Sequence, residues 1–179
     1  MPAAIPLDFC LETPRLMLRR FLVGDAERVT EIIGNWNVGR MLRLAPHPVT
    51  LENQRAWLAS HEAEWVAATD YRFAVTEAGV VIGCADVDNI KSDAGEIGYW
   101  LDERCWGRGL ASEAAMAVRD FAFGVLGLDR LTSGHAADNP NSGRVLEKLG
   151  FAWIDEITVW SQPRQAEIVQ RRYAMSRPD

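Results

Sequence analysis

A glycine pair in front of a predicted helix is the feature of this sequence most suited to chemistry. Gly107 and Gly109 follow a short apolar strand, 96–101, and precede a run of helix-forming residues. The N-terminus of a helix presents unpaired backbone N–H groups and the positive end of the helix dipole, and both attract anions. Because glycine has no Cβ, a phosphate could approach this backbone closely. The spacing therefore predicts a site for a phosphorylated cofactor.

Two common phosphate-binding loops do not fit these residues. A Walker loop needs Gly-Lys followed by Ser or Thr, and the sequence contains no such tripeptide. A dinucleotide fingerprint needs a glycine or alanine where this chain has Ser112, and an acidic residue at the end of the next strand. Asp129 lies at about the required distance but precedes that strand. The cofactor must therefore be identified from a wider pattern.

That wider pattern has two parts. The first reads Arg-x-x-Gly-x-Gly-x-Ala, from Arg104 to Ala111; the second contains Asn139, Ser142 and the run Val-Leu-Glu-Lys-Leu-Gly-Phe at 145–151. In this order and at this spacing, the two parts resemble the GCN5-related N-acetyltransferases, most closely the branch that acetylates the N-termini of ribosomal proteins. The resemblance is densest over 94–151 and extends more loosely over nearly the whole chain.

The resemblance implies acetyl-CoA as the co-substrate and no metal ion. In this family the strands equivalent to 94–101 and 130–135 diverge, and the pantetheine arm of the cofactor lies in the gap. The pantetheine is then expected to pair with main chain near Leu101 and with Asn139. The pyrophosphate is expected on the backbone of the glycine loop, which consists of Trp106, Gly107, Arg108, Gly109, Leu110, Ala111 and Ser112.

The leaving thiolate needs a hydrogen-bond or proton donor. In much of the family this donor is a tyrosine seven residues after the Asn, a position that Leu146 occupies here. The ribosomal branch instead offers the Ser of Asn-x-x-Ser, which is Ser142. The alternative is that Ser142 is a plain helix N-cap, a role for which serine is well suited.

A base is needed because only a neutral amine attacks a thioester. Glu96 opens the strand beside the expected thioester site, and a glutamate at the comparable position is the base in histone-acetylating relatives. The alternative for Glu96 is a solvated carboxylate at a strand end. Asp86 and Asp88 are further candidates, and His135 could relay a proton through water or simply be a packed side chain.

The ordinary pKa values of amines favour one class of acceptor. A lysine amine with a pKa of about 10.4 is neutral in roughly one molecule in 2,500 at pH 7, and an α-amine near 7.8 in roughly one in seven. A site without an assured base therefore suits an α-amine, on a protein N-terminus or a small molecule. The resemblance implies direct transfer to that amine, and the alternative is a catalytically weak regulatory module that binds CoA.

The hydrophobic pattern predicts the elements that position these residues. The resemblance and the element order indicate an α+β fold with one mixed, mostly antiparallel sheet of about seven strands, flanked by four helices and splayed between strands 94–101 and 130–135. The other predicted strands are 15–21, 71–76, 80–87, 151–159 and 167–175, and the helices run over about 25–36, 50–67, 109–124 and 141–149. Loop 38–49 is a plausible lip of the substrate site.

Composition agrees with one enzyme domain spanning 1–179. The chain is 48% hydrophobic and carries a net charge of −6, which argues against general binding to nucleic acid or to an anionic membrane surface. Three widely spaced cysteines, without metal-ligand spacing, indicate a reducing cytoplasm. The sequence has neither the basic start of a signal peptide nor an apolar run long enough to span a bilayer. We expect a cytoplasmic monomer or homodimer.

Overall fold

The computed structural model describes residues 4–178, which form one mixed eight-stranded sheet with five α-helices. The strands are β1 Cys10–Glu12, β2 Met17–Arg20, β3 Tyr71–Glu77, β4 Val80–Lys91, β5 Ala94–Leu101, β6 Arg130–Ala136, β7 Ala152–Ser161 and β8 Ala166–Ser176. The helices are α1 Ala26–Gly34, α2 Trp36–Gly39, α3 Leu51–Ala67, α4 Leu110–Gly124 and α5 Pro140–Leu149. The predicted fold class is confirmed, with one strand and one short helix more than the predicted numbers.

The strand order is β1-β2-β3-β4-β5-β6-β8-β7. Neighbouring strands from β1 to β5 are antiparallel, β5 and β6 are parallel, and β8 lies between β6 and β7. The parallel pair is joined through α4, as the crossover rule for parallel strands requires. The first five strands and the last three therefore form two antiparallel blocks that meet at β5 and β6.

Capping and turn residues fix the bounds of several of these elements. Thr50 accepts a hydrogen bond from the backbone N–H of Asn53 and so caps α3. Gly79 has a φ of 81° in the turn between β3 and β4, and Gly150 has a φ of 94° at the end of α5. Both values lie in the left-handed region, where glycine is favoured.

Two apolar clusters cover opposite faces of the sheet. One contains Phe73 of β3, Phe121 of α4 and Leu146 of α5. The other contains Val29 of α1 and Leu58 of α3. Adjacent residues of a strand point to opposite faces, so β4 and β5 supply side chains to both clusters. Among the described residues, none of the helices is both long and apolar enough to cross a membrane.

Candidate functional site

Both glycines of the glycine loop adopt a left-handed backbone conformation, and a helix follows them as predicted. Gly107 and Gly109 have φ angles of 74° and 78°, and α4 begins at the next residue, Leu110. Residues 106–109 are exposed, and no side chain caps the N-terminus of α4. The first-turn N–H groups of this fifteen-residue helix are therefore free of a side-chain cap at its positive end.

Two ionic clusters fasten this loop from opposite sides. Arg15 donates to the carbonyl of Arg108 at 2.9 Å and to the carboxylate of Glu113, in the first turn of α4, at 2.7 Å. On the other side, Arg104 donates to the buried carboxylate of Asp102 at 2.7 Å. This contact and a second arginine hold the pKa of Asp102 at about 2. The motif residue Arg104 thus fixes the start of the loop.

The predicted gap lies between β5 and β6. Their register pairs only residues 94–96 with 130–132, after which the strands diverge. At the point of divergence, the hydroxyl of Ser133 donates to the carbonyl of Ile97 at 2.7 Å. Residues two apart in a strand direct their backbone groups to the same side, so Tyr99 and Leu101 also face the gap. The carbonyl of Leu101 already accepts a 2.9 Å hydrogen bond from the indole of Trp106.

Ser142 lies in the first turn of α5 and contacts β5 across the gap. The phenol oxygen of Tyr99 is 2.9 Å from both the Oγ and the carbonyl oxygen of Ser142. The N-cap of α5 is Asn139, whose side chain accepts from the backbone N–H of Ser142 at 3.4 Å. The alternative in which Ser142 is the N-cap is therefore wrong, because Asn139 occupies that position. Because Asn139 caps the helix, the Ser142 hydroxyl is left to interact with Tyr99.

Three carboxylates of β4 and β5 lie on the face of the sheet opposite to Tyr99. Asp86 pairs with Gly98, and Asp88 pairs with Glu96, so the register places these side chains in two adjacent rows. A Cβ at Gly98 would be only 2.4 Å from Oδ1 of Asp86. The carboxylate of Asp86 therefore lies directly over the backbone of β5, close to where the strands diverge.

Burial raises the pKa of two of these carboxyl groups. The pKa of Asp86, which is 8% exposed, rises to about 6. Burial and the charges of Asp86 and Glu96 raise the pKa of Asp88 to about 7. Arg72 opposes these shifts and lies 3.9 Å from Asp88, but it also forms ion pairs with Asp70 and Glu64. The face thus carries carboxylates that can exchange protons near neutral pH.

His135 is buried on β6 with both ring nitrogens near partners. Its Nδ1 is 2.8 Å from the carbonyl of Ala136, and its Nε2 is 3.4 Å from the hydroxyl of Tyr173. A Cβ at Gly143 would be 2.8 Å from Nε2, so the first turn of α5 packs directly on this ring. The structure thus places His135 as a packed side chain beneath α5.

The predicted substrate lip contacts the turn between β7 and β8. The backbone N–H of Gln162 donates to the carbonyl of Arg43 at 2.8 Å, and Arg164 donates to the carbonyl of Arg40 at the same distance. Asp138, which immediately precedes the cap of α5, accepts from Arg164 at 2.9 Å and from Arg40 at 3.1 Å. The lip, this turn and the start of α5 therefore form one connected rim.

Two of these residues are brought into the site only by the fold. Tyr99 is not among the site residues that the sequence predicts; its one signal is a hydroxyl group on a strand expected to line the gap. Asp86 is predicted as a lesser candidate than Glu96, because the sequence does not show which residue overlies Gly98. Within residues 4–178, no cluster of three His, Cys, Asp or Glu side chains could hold a metal ion.

Comparisons with a family model and with known relatives indicate the same protein family. The sequence model described as an acetyltransferase (GNAT) domain matches residues 15–152. The uncharacterised N-acetyltransferase YoaA of Bacillus subtilis is 30% identical over 145 residues, which cover 79% of this chain and 81% of that protein.

Solved structures of acetyltransferases have the same fold. The ribosomal-protein-S5-alanine acetyltransferase of Vibrio fischeri superimposes with a TM-score of 0.84 at 21% identity, covering 96% of this chain and 98% of the other. RimL, a ribosomal L7/L12 α-N-protein acetyltransferase in complex with coenzyme A, has a TM-score of 0.82 at 18% identity, covering 94% and 98%. At these identities the two likenesses establish the fold.

Proposed function

Because this chain belongs to the GNAT acetyltransferase family, we propose that it transfers the acetyl group of acetyl-CoA directly to a primary amine. The observation that carries this proposal is the gap between β5 and β6, which has the glycine loop at one end and the Tyr99–Ser142 pair across it. Coenzyme A in the RimL complex supports the choice of cofactor.

The cofactor would lie along β5 with its pyrophosphate on the glycine loop, residues 106–112. The free N–H groups at the start of α4 and the absence of side chains at Gly107 and Gly109 suit that anion. Tyr99 and Leu101 both direct backbone groups into the gap, so both would be partners for the pantetheine amides. The carbonyl of Leu101 is not available for this, because it already accepts a hydrogen bond from Trp106. Asn139, at the opposite side of the gap, remains the predicted second partner.

Donor and base would act from opposite faces of β5. Ser142 lies on the α5 side and would hydrogen-bond the sulfur as the carbon–sulfur bond breaks. Asp86 lies on the other side, over Gly98, and would accept the proton that the amine loses as the nitrogen–carbon bond forms. Glu96, one row away on the same face, is the alternative base. This arrangement supports direct transfer, because each group reaches the thioester from its own side.

We propose the α-amine of a protein or peptide N-terminus as the acceptor. The acidic face would attract an ammonium group and then remove its proton. An α-amine loses that proton more readily than lysine, by about 2.6 pKa units. The names of RimL and of the S5-alanine acetyltransferase, which act on ribosomal proteins, support the same class of acceptor.

The test is thiol release from acetyl-CoA with a matched set of peptides. One peptide has a free N-terminus, a second has the same sequence with a blocked N-terminus, and a third has a blocked N-terminus and an internal lysine. We expect turnover with the first peptide and little with the others. Preference for lysine would refute the choice of acceptor. Tight binding of acetyl-CoA without transfer to any amine would favour the regulatory module instead.

A further inference from the structure

The contact between Tyr99 and Ser142 links β5 to α5 across the gap. The phenol oxygen lies 2.9 Å from two oxygens of Ser142, its hydroxyl and its backbone carbonyl. Tyr99 adjoins Gly98 in β5 and points to the other face, away from Asp86. The two hydroxyl groups therefore form a pair on the helix side of the expected thioester.

A tyrosine hydroxyl has only one proton, so these contacts allow two arrangements. If the phenol donates to the carbonyl, the Ser142 hydroxyl is left to donate to the phenol oxygen. If the phenol shares its proton between the carbonyl and the Oγ of Ser142, in a three-centre hydrogen bond, both contacts are satisfied and the Ser142 proton is free for a third group. Only the second arrangement directs a proton at a sulfur atom in the gap.

We propose that Tyr99 is a positioning residue for acetyl transfer, which shares its proton between the carbonyl and the Oγ of Ser142 and thereby leaves the Ser142 proton for the leaving sulfur. This inference rests on the proposed function. As the amine nitrogen bonds to the acetyl carbon, the carbon–sulfur bond breaks and its electron pair goes to the sulfur. The proton lost by the amine goes to the carboxylate base. The CoA thiolate leaves with a hydrogen bond from Ser142 and takes a proton from water on release.

Tyr99 acts through Ser142 and is not itself the acid. Burial raises the pKa of its phenol above the ordinary value, which is about 10, whereas a thiol has a pKa of about 8.5. Transfer of the phenol proton to the thiolate would therefore be uphill, and Tyr99 keeps its proton throughout the reaction.

The position of α5 does not depend on the phenol. Asn139 caps this helix, Gly143 packs on His135, and Leu146 is fully buried in the core. Removal of the Tyr99 hydroxyl should therefore leave α5 in place. What it removes is the hydrogen bond that orients the Ser142 hydroxyl.

The experiment compares Tyr99→Phe, Ser142→Ala and the double variant, with Tyr71→Phe as the control. Tyr71 is buried and packs against Trp65 and Phe121, away from the gap. We expect Tyr99→Phe to lower kcat by about ten- to hundredfold, the usual cost of a misplaced catalytic group. Acetyl-CoA affinity by calorimetry should stay within about twofold, because a hydrogen bond used only in the transition state does not contribute to binding.

The double variant gives the decisive result. If Tyr99 acts only through Ser142, the double variant should be no slower than Ser142→Ala alone. The inference is overturned if the losses of kcat in the two single variants multiply in the double variant, or if Tyr99→Phe keeps the wild-type kcat. Either result would leave the proposed function standing. Loss of kcat in Tyr71→Phe to the same extent would also overturn it. Absence of transfer by the wild-type protein would overturn both.

Discussion

Replacement of Asp86 by asparagine tests whether this carboxylate removes the proton from the attacking amine. Burial raises its pKa to about 6. A group with that pKa is ionised in about 97% of molecules at pH 7.5 and in about 9% at pH 5. We expect the wild-type kcat/KM to exceed that of Asp86→Asn by about a hundredfold or more at pH 7.5. That ratio should fall about tenfold at pH 5, because Asp86 is then ionised in few wild-type molecules.

The assay is the initial rate of thiol release at several pH values, with both proteins and one peptide acceptor. The ratio of the two rates cancels the ionisation of the amine, which is the same for both proteins. Glu96→Gln is the matched comparison, since Glu96 lies on the same face one row away. A ratio that does not change with pH for Asp86→Asn would refute its role as base. A loss of rate in Glu96→Gln at pH 7.5, with the wild-type rate kept in Asp86→Asn, would assign the base to Glu96.

Three further perturbations have defined outcomes. Gly109→Val should weaken acetyl-CoA binding in calorimetry at least about tenfold, or about 1.4 kcal/mol, whereas Gly127→Ala, equally left-handed at the other end of α4, should not. Ser142→Ala should lower kcat by about a hundredfold with acetyl-CoA affinity nearly unchanged; equal turnover would contradict the donor role. Burial lowers the pKa of His61 from 6.5 to about 3. As pH falls, the imidazole is therefore protonated in the unfolded chain before it is protonated in the folded protein, and folding stability is lost below pH 6.5. In urea unfolding, the free energy of the wild type should fall by about 2 kcal/mol relative to His61→Leu between pH 7.5 and pH 5, and a difference independent of pH would contradict this.

The longer elements are predictable because each has a full local signal. Strand 94–101 is predicted with its observed bounds, since its largely apolar run lies between Asp93 and Asp102. Strand β1 is absent from the predictions because three residues are too few to show an alternating pattern. Helix α2 has only four residues and directly follows α1, so the sequence predicts one helix where the structure has two.

Only part of the candidate site can be predicted from the sequence. The φ angles of Gly107 and Gly109 follow from residue type, because glycine is the residue that most readily adopts them. The proposed role of Asp86 depends on the register between β4 and β5, which places it over Gly98. The contact of Tyr99 with Ser142 joins residues 43 positions apart. Neither relation is visible in local spacing, because each depends on how separate elements pack.

The divergence of β5 from β6 gives the sheet two inner edges in addition to its outer edges at β1 and β7. An unpaired strand edge is normally a hazard, because it can pair with a strand of another molecule and start aggregation. Here the Ser133 hydroxyl satisfies the first free carbonyl of β5, and the Tyr99–Ser142 contact spans the opening. A second polypeptide would have to fit its side chains past that contact. A thin, flexible chain with amide groups and few branches would not, so the inner edge would suit the proposed cofactor arm better than a neighbouring strand.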